Sequence, residues 1–255
     1  MKDIKPTIYI SGASGYIGSF LLEKLKKNDI LVKSIKKNDY NNIKEANKSI
    51  LIYLSQPSSV NYQFNHEDIL TLKKILSFKW LHIIYFSTAL LNMHIYKYKK
   101  KKIPDYLKLK QKSEIILKNR KKTILRLSNV YGNKLKKNTF LHKLNRLKTK
   151  KEILQISNEN HLRDFIHLND ILSCIIKIIK YKPNLTLNLA SGKSITTNDL
   201  IILMSNNNSN IMKYLKLIKF KKNTDTSLKV DINKTKKILR WSPLISLEKT
   251  LSEIK

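Results

Sequence analysis

Cysteine occurs once in the 255 residues, at Cys174, so no internal disulfide and no cysteine-based metal site can be built; the expectation is a reducing, cytoplasmic setting. Long apolar runs are also missing. The greasiest stretch, ILSCIIKIIK at 171–180, is interrupted by Lys177 and Lys180, which leaves it short of the roughly 20 apolar residues of a membrane helix. No membrane partner is expected. The apolar run before the first glycine is shorter than the ~7–15 residues of an export signal's core, which disfavours export. Glycine is scarce, five in all, and acidic residues number only 18 against 51 Lys plus Arg. What is present is ordinary for a folded soluble protein: 42% hydrophobic and 27% charged residues, with a mean hydropathy of −0.34. The length suits one main α/β unit with a small appended part.

The net charge of +33 invites a nucleic-acid reading, but only five of the basic residues are arginine, the side chain whose planar fork suits base and phosphate contacts. Lysine spread along the whole chain reads as a general compositional bias. The run YKYKKKK at 96–102 reads as a solvated loop, and no specific nucleic-acid partner is expected.

The order of elements points to a doubly wound α/β fold. TIYIS at 7–11 reads as a strand, GASGYIG as a turn, and FLLEKLKK as the helix it opens. Further strands are expected at 30–35, 50–54, 81–87 and 123–128, with helices at 67–78 and 106–119 between them. Near-continuous apolar strands imply burial on both faces, as in a parallel sheet. After Gly132 the alternation loosens into a helix at 139–149, a strand at 153–157, a helix at 169–180, the strand LTLNLA and two terminal helical stretches. The very polar stretch 36–49 is expected to be trimmed of regular structure. The expected division is a Rossmann-like domain over 1–132, to which 164–190 return, and a small C-terminal substrate-binding lobe from 133–163 and 191–255.

Two patterns carry chemistry. Gly12, Gly15 and Gly18, three of the five glycines, sit between a strand and a helix, where backbone can approach a pyrophosphate and helix N–H groups can face it. Tyr106 and Lys110 lie at i, i+4 on a predicted helix, hence on one face. An ammonium beside a phenol favours the phenolate, which would let Tyr106 exchange a proton near neutrality. That helix follows an apolar strand ending Phe86-Ser87-Thr88. No second histidine or carboxylate cluster supports a metal.

With these motifs in order, the chain resembles the extended short-chain dehydrogenase/reductases, the NAD-dependent epimerase/dehydratase family that acts on nucleotide sugars. The resemblance runs from residue 7 to about 252 through GASGYIG, IYLSQ at 52–56, YFSTALL, the Tyr106-Lys110-Glu114 helix, RLSNVYG at 126–132, RDFIHLND at 163–170, LNLASG at 187–192 and DINKTKKILRWSP at 231–243. It implies a Rossmann-like doubly wound parallel sheet with a small C-terminal lobe. It also implies hydride exchange between NAD or NADP and a nucleoside-diphosphate sugar, as a 4-epimerase or a 4-ketoreductase, in a possible homodimer. Thr88, Tyr106 and Lys110 would be catalytic. Gly12, Ser14, Gly15, Tyr16, Ile17, Gly18, Leu54 and Ser55 would join Tyr106 and Lys110 in holding the cofactor. Thr88, Asn129, Arg163 and Lys222 would touch the substrate.

Each role has a structural competitor: Thr88 as a strand-end hydroxyl, Asn129 as a turn cap, and Arg163 as a partner of Asp164 or Asp170. His167 reads as a core histidine and Trp241 as lobe packing. Ala89 and Leu90 stand where dehydratases of the family carry an acidic pair, which disfavours water elimination. Lys36 and Lys37, rather than a carboxylate, stand 18 and 19 residues past Gly18, which tilts the cofactor toward NADP, unless the strand ends later and Asp39 takes the acidic role. The alternative to an enzyme is a non-catalytic, NAD(P)-binding or regulatory member of the same fold.

Overall fold

A computed structural model describes residues 6–37, 39–57, 61–97, 103–132, 134–137, 139–146, 154–156, 159–206, 218–220 and 227–253. Its first half alternates regularly: β1 (Ile8–Ser11), α1 (Tyr16–Lys27), β2 (Val32–Ile35), β3 (Ile50–Tyr53), α2 (His66–Leu76), β4 (His82–Thr88), α3 (Leu90–Lys97), α4 (Asp105–Ile116) and β5 (Lys122–Leu127). The second half adds β6 (Asn129–Tyr131), α5 (Phe140–Arg146), β7 (Leu154–Ile156), β8 (Leu162–His167), α6 (Leu168–Tyr181), β9 (Thr186–Leu189), β10 (Ser194–Thr196), α7 (Thr197–Asn206) and β11 (Ile218–Phe220). Helices Asn233–Leu239 and Leu247–Glu253 follow.

Six strands form one parallel sheet in the order β2-β1-β3-β4-β5-β9. Every residue of β1, β3 and β4 is buried, as their unbroken apolar runs require when helices cover both faces. On one face Leu21 and Leu25 of α1 pack with Ile171, Ile175 and Ile178 of α6. On the other, Leu72, Ile75 and Leu76 of α2 meet Tyr9, Tyr53 and Tyr85. The order reverses between β1 and β3, so the crevice beyond their carboxyl ends is the natural ligand position of a doubly wound sheet. The fold is therefore the Rossmann-like α/β architecture expected from the sequence.

The described residues of 36–49 carry only a 3-10 turn at Ala46–Lys48, and among the described residues β2 is an edge strand, as the polarity of that stretch leads one to expect. Three features lie outside the sequence reading. Helix α3 starts directly after Thr88; β6, β8 and β10 form a second sheet; and β11 pairs with β7. The strands of these small sheets are three to six residues long, too short for a period to show. Trp241 also departs from expectation. It packs with the α1 and α6 face of the main sheet and donates its indole N–H to Ser173 Oγ at 2.8 Å.

A charged fork fixes α4 against the sheet. Arg126 of β5 donates from Nη2 to Glu114 Oε2 at 2.7 Å and from Nε to Oε1 at 3.1 Å, while Ser87 Oγ donates to Oε1 at 2.5 Å. Arg126 Nη1 then reaches Asn92 Oδ1 at 2.7 Å, and Asn92 Nδ2 reaches Asn188 Oδ1 at 2.9 Å, so α3, α4, β4, β5 and β9 are tied together. Glu114 is mostly buried, so removing its partner strands a carboxylate. Arg126→Met is expected to lower stability by about 3 kcal/mol in urea denaturation. Arg126→Met combined with Glu114→Leu should recover most of that loss, because the stranded charge is gone.

Candidate active site

Gly12, the first residue after β1, has φ +87°, and a Cβ there would lie 2.7 Å from the carbonyl carbon of Leu54 and 2.8 Å from the amide nitrogen of Ser55. The turn thus lies flat on the end of β3. A Cβ on Gly18 would come within 2.1 Å of the Gly12 carbonyl oxygen, so only glycine lets α1 start this close to the turn. Gly15 N–H closes the turn on that same carbonyl at 3.1 Å, and Ser11 and Ser55 share a 2.6 Å hydroxyl contact beneath it. Helix α1 has no side-chain cap and no acidic residue in its first turn. Its leading N–H groups are thereby left for an anion, and the cradle fits a dinucleotide pyrophosphate. Ser14 and Gly15 are exposed at the tip, while Tyr16, Ile17 and Leu54 line the cleft beside it.

That cleft, about 560 Å³, runs from the glycine loop across the ends of β4 and β5 to β6 and β8. Thr88, Tyr106, Lys110, Asn129 and Arg163 all line it. Lys36 and Lys37 do not. They follow β2, whose Ile35 is in register with Ser11, so Lys36 begins beside Gly12 at the outer rim, and both lysines are exposed. Lys222 lies outside the described residues.

Thr88 ends β4, and its Oγ1 accepts the Leu90 N–H at 3.3 Å. Tyr106, from the first turn of α4, lines the same cleft beside Thr88, near enough for the Thr88 hydroxyl to lower its phenol's pKa. One turn on, Lys110 is almost completely buried. Its Nζ donates to the Phe86 carbonyl at 2.9 Å and to Gln56 Oε1 at 3.3 Å, and it lies 5.8 Å from the centre of the Tyr106 ring. Burial drives both titrations. It pushes the Lys110 ammonium down to about 7, against the attraction of Glu114 and Asp68. It also raises the Tyr106 phenol above its ordinary range, with the Thr88 hydroxyl opposing. The sequence expectation of a phenol lowered by Lys110 is therefore not met in the free protein, because desolvation outweighs an ammonium at this distance.

The competitors for Arg163 are removed by geometry. Asp164 accepts the backbone N–H groups of Ser191 and Gly192 at 2.9 and 2.8 Å, and Asp170 those of Leu244 and Ile245 at 2.8 and 3.1 Å. Both carboxylates are committed to loops, and among the described residues Arg163 has no acidic partner. Burial lowers its pKa, so this guanidinium gains from an anion. Asn129 is in part structural, its Nδ2 donating to the Asp164 carbonyl at 2.9 Å, which ties β6 to β8. His167 caps α6, its Nδ1 accepting the Asn169 N–H at 3.1 Å.

Two cleft residues escaped the sequence reading. Lys136 lines the cleft, half-buried, and nothing distinguishes it from its lysine-rich surroundings in the sequence. Gln56 lines the cleft next to Lys110, and its only sequence signal is its place at the end of the IYLSQ motif. Among the described residues no group of three His, Cys, Asp or Glu side chains is placed to hold a metal, and no helix is long and apolar enough to cross a membrane. Across the cleft, Tyr16 donates its hydroxyl to the Lys134 carbonyl at 2.8 Å.

A family model described as the NAD dependent epimerase/dehydratase family matches residues 108–190, a span that begins within α4 and ends after β9. No curated protein matches the chain in sequence. Among solved structures, a UDP-glucose 4-epimerase from Thermotoga maritima with UDP-glucose is similar at 20% identity and TM-score 0.77, covering 97% of each chain. A UDP-N-acetylglucosamine 4-epimerase from Methanobrevibacter ruminantium M1, in complex with UDP-N-acetylmuramic acid, is similar at 20% identity and TM-score 0.78, over 98% of this chain and 97% of the other. The protein RMD from Pseudomonas aeruginosa, complexed with NADPH, is similar at 16% identity and TM-score 0.75, over 98% and 96%. The chain is thus similar to the NAD dependent epimerase/dehydratase family over the matched segment, and shares the fold of these solved structures over nearly its whole length.

Proposed function

We propose that this protein is an NAD(P)-dependent nucleotide-sugar enzyme, a 4-epimerase or a 4-ketoreductase, with Tyr106 moving the proton. The observation that carries the reading is the convergence of Thr88, Tyr106 and Lys110 in one cleft between a glycine-loop cradle and an arginine that has no acidic partner among the described residues. Complexes of similar proteins with UDP-sugars and with NADPH support it. The bound nicotinamide would supply the site for hydride exchange. The chain's own residues do the rest. The Tyr106 phenol gives its proton to a carbonyl oxygen or, in the reverse direction, its phenolate takes one from a carbinol, and Thr88 Oγ1 orients that oxygen beside it. Lys110 holds the ribose and places positive charge behind the phenol. Arg163, with Asn129 and Lys222, holds the diphosphate end of the substrate, at which an unpaired guanidinium is better suited than water to two negative charges. Ala89 and Leu90 offer no acid or base next to Thr88, which disfavours water elimination from the sugar.

Tyr106→Phe should keep the fold and cofactor affinity while lowering turnover by roughly 10²–10⁴, assayed with NDP-sugars and NDP-ketosugars and either nicotinamide cofactor. Unchanged turnover removes Tyr106 from the chemistry. Product formed without net cofactor consumption identifies the epimerase; stoichiometric loss of NADPH identifies the reductase.

Lys36 and Lys37 are proposed to favour NADP through the charge of its 2′-phosphate. Their exposure limits the effect to several-fold in affinity, on the order of 1 kcal/mol. Titration of both cofactors should show that preference shrinking or inverting in Lys36→Asp/Lys37→Ala. Tighter NAD binding by the wild type would assign selection to other residues.

The buried Lys110 also has a cost. Its pKa is lower folded than unfolded, so between about 7 and its ordinary value of 10.5 the unfolded chain binds more protons and stability rises with pH. The penalty of a charged Lys110 is thus largest below pH 7. Lys110→Met should raise the melting temperature of the cofactor-free protein by a few degrees at pH 6, roughly what a shift of ~1 kcal/mol produces. The gain should fade toward pH 10; a pH-independent change would mean that the ammonium is not destabilising.

A further inference from the structure

The side-chain amide of Gln56 has only one orientation open to it. Ser113 Oγ is completely buried and spends its single proton on the Leu109 carbonyl at 2.8 Å, so toward Gln56 it can only accept. Gln56 Nε2 is the donor that fills that role, at 2.8 Å. Oε1 is thereby turned the other way, where it accepts the Tyr85 hydroxyl at 2.6 Å and Lys110 Nζ at 3.3 Å. Tyr85 is itself fully buried in the sheet, so the amide is anchored on the helix side by Ser113 and on the sheet side by Tyr85.

An ammonium has three N–H donors. On Lys110 one goes to the Phe86 carbonyl and one to Gln56, which leaves one, on a residue that lines the cleft. The acidic groups nearest in effect are Glu114, on the same helix, and Asp68, on α2. Glu114 is taken by Arg126 and Ser87, and Asp68 accepts the Tyr62 hydroxyl at 2.6 Å. Facing Lys110 from the remaining elements are the phenols of Tyr85 and Tyr106. A neutral amide oxygen, rather than a carboxylate, is therefore what steadies the ammonium, and its charge is not cancelled at the point of contact.

We propose that Gln56 is a positioning residue for Lys110: its locked amide and the Phe86 carbonyl occupy two donors of the ammonium and aim the third into the cleft, at the ribose of a nicotinamide cofactor. The proposal rests on the cofactor reading above and adds to it a residue that acts only through Lys110.

The test is a double-mutant cycle on NADPH and NADH binding, followed by nicotinamide fluorescence, with wild type, Gln56→Met, Lys110→Met and the double variant. Gln56→Met should weaken binding about 5–10-fold when Lys110 is present, within the usual effect of losing one hydrogen bond. In the Lys110→Met background the same substitution should change affinity by less than about twofold. Equal factors in both backgrounds, or no effect in either, would overturn the role, since loss of packing alone is indifferent to the lysine. Thermal melts verify folding of each variant. If Gln56→Met does not fold, Ser113→Ala enters the cycle in its place: it frees the amide to turn over and should likewise weaken binding only when Lys110 is present. Failure of the wild type to bind either nucleotide would overturn the cofactor reading and this role together, whereas tight binding with an additive cycle would overturn this role alone.

Discussion

The carboxylate of Glu114 is the point on which the reactive cleft is hung. It receives two N–H donors from β5 and a hydroxyl from β4 while sitting on α4, so one side chain sets the distance between the strand that carries Thr88 and the helix that carries Tyr106 and Lys110. A hydrophobic contact could press α4 on the sheet, but it would tolerate sliding along the strand. A bidentate fork does not, because both bonds must keep their length and plane. The remaining Arg126 donor carries the constraint through Asn92 to β9, which makes the cleft floor continuous from α4 to the sheet's far side.

Against the overall charge of +33, the site is economical with cations. Lys110, Arg163 and Lys136 are withdrawn from solvent there, Lys110 the most completely, and all three are depressed in pKa by desolvation rather than by neighbouring lysines. Surface lysines, screened by water and salt, contribute little to them. The electrostatics that matter are those of a few groups withdrawn from solvent. Burial likewise raises the Tyr106 phenol, so desolvation favours its protonated form in the free protein.

The main sheet was legible because strands buried on both faces must be written as unbroken apolar runs, and IYIS, ILIY and HIIYFST are such runs. The glycine loop was legible because glycines are rare here and two of them are sterically required. Strands β6 and β10, three residues each, carry no period, and α3 is hidden by following a strand without an intervening turn signal. Within the cleft, the residues with a characteristic spacing were found and those without one were not. Tyr106 and Lys110 announce themselves at i, i+4. Lys136 is one lysine among many, and Gln56 reaches its partners at positions 85, 110 and 113 only through the fold. The titration of Tyr106 was misjudged because spacing places two side chains on one face but says nothing of how dry that face is.

The two margins of the sheet are protected by different means. At β9 the chain itself folds over the margin: Asn188 donates from Nδ2 to the Asp231 carbonyl at 2.7 Å, and Thr235 Oγ1 donates to the Asn188 carbonyl at 2.6 Å. At β2 nothing comparable follows among the described residues, because those of 36–49 supply no further strand. An open strand with free N–H and C=O groups is a template for another chain's strand, the usual route to edge-to-edge aggregation. Here the template is short, four residues, and Lys33, Lys36 and Lys37 stand exposed along and just beyond it. A second copy approaching in register would bring like charges together in a row. Among the described residues this margin is thus kept apart from other copies by charge, and Lys36 and Lys37, at the outer rim beside Gly12, are part of that guard.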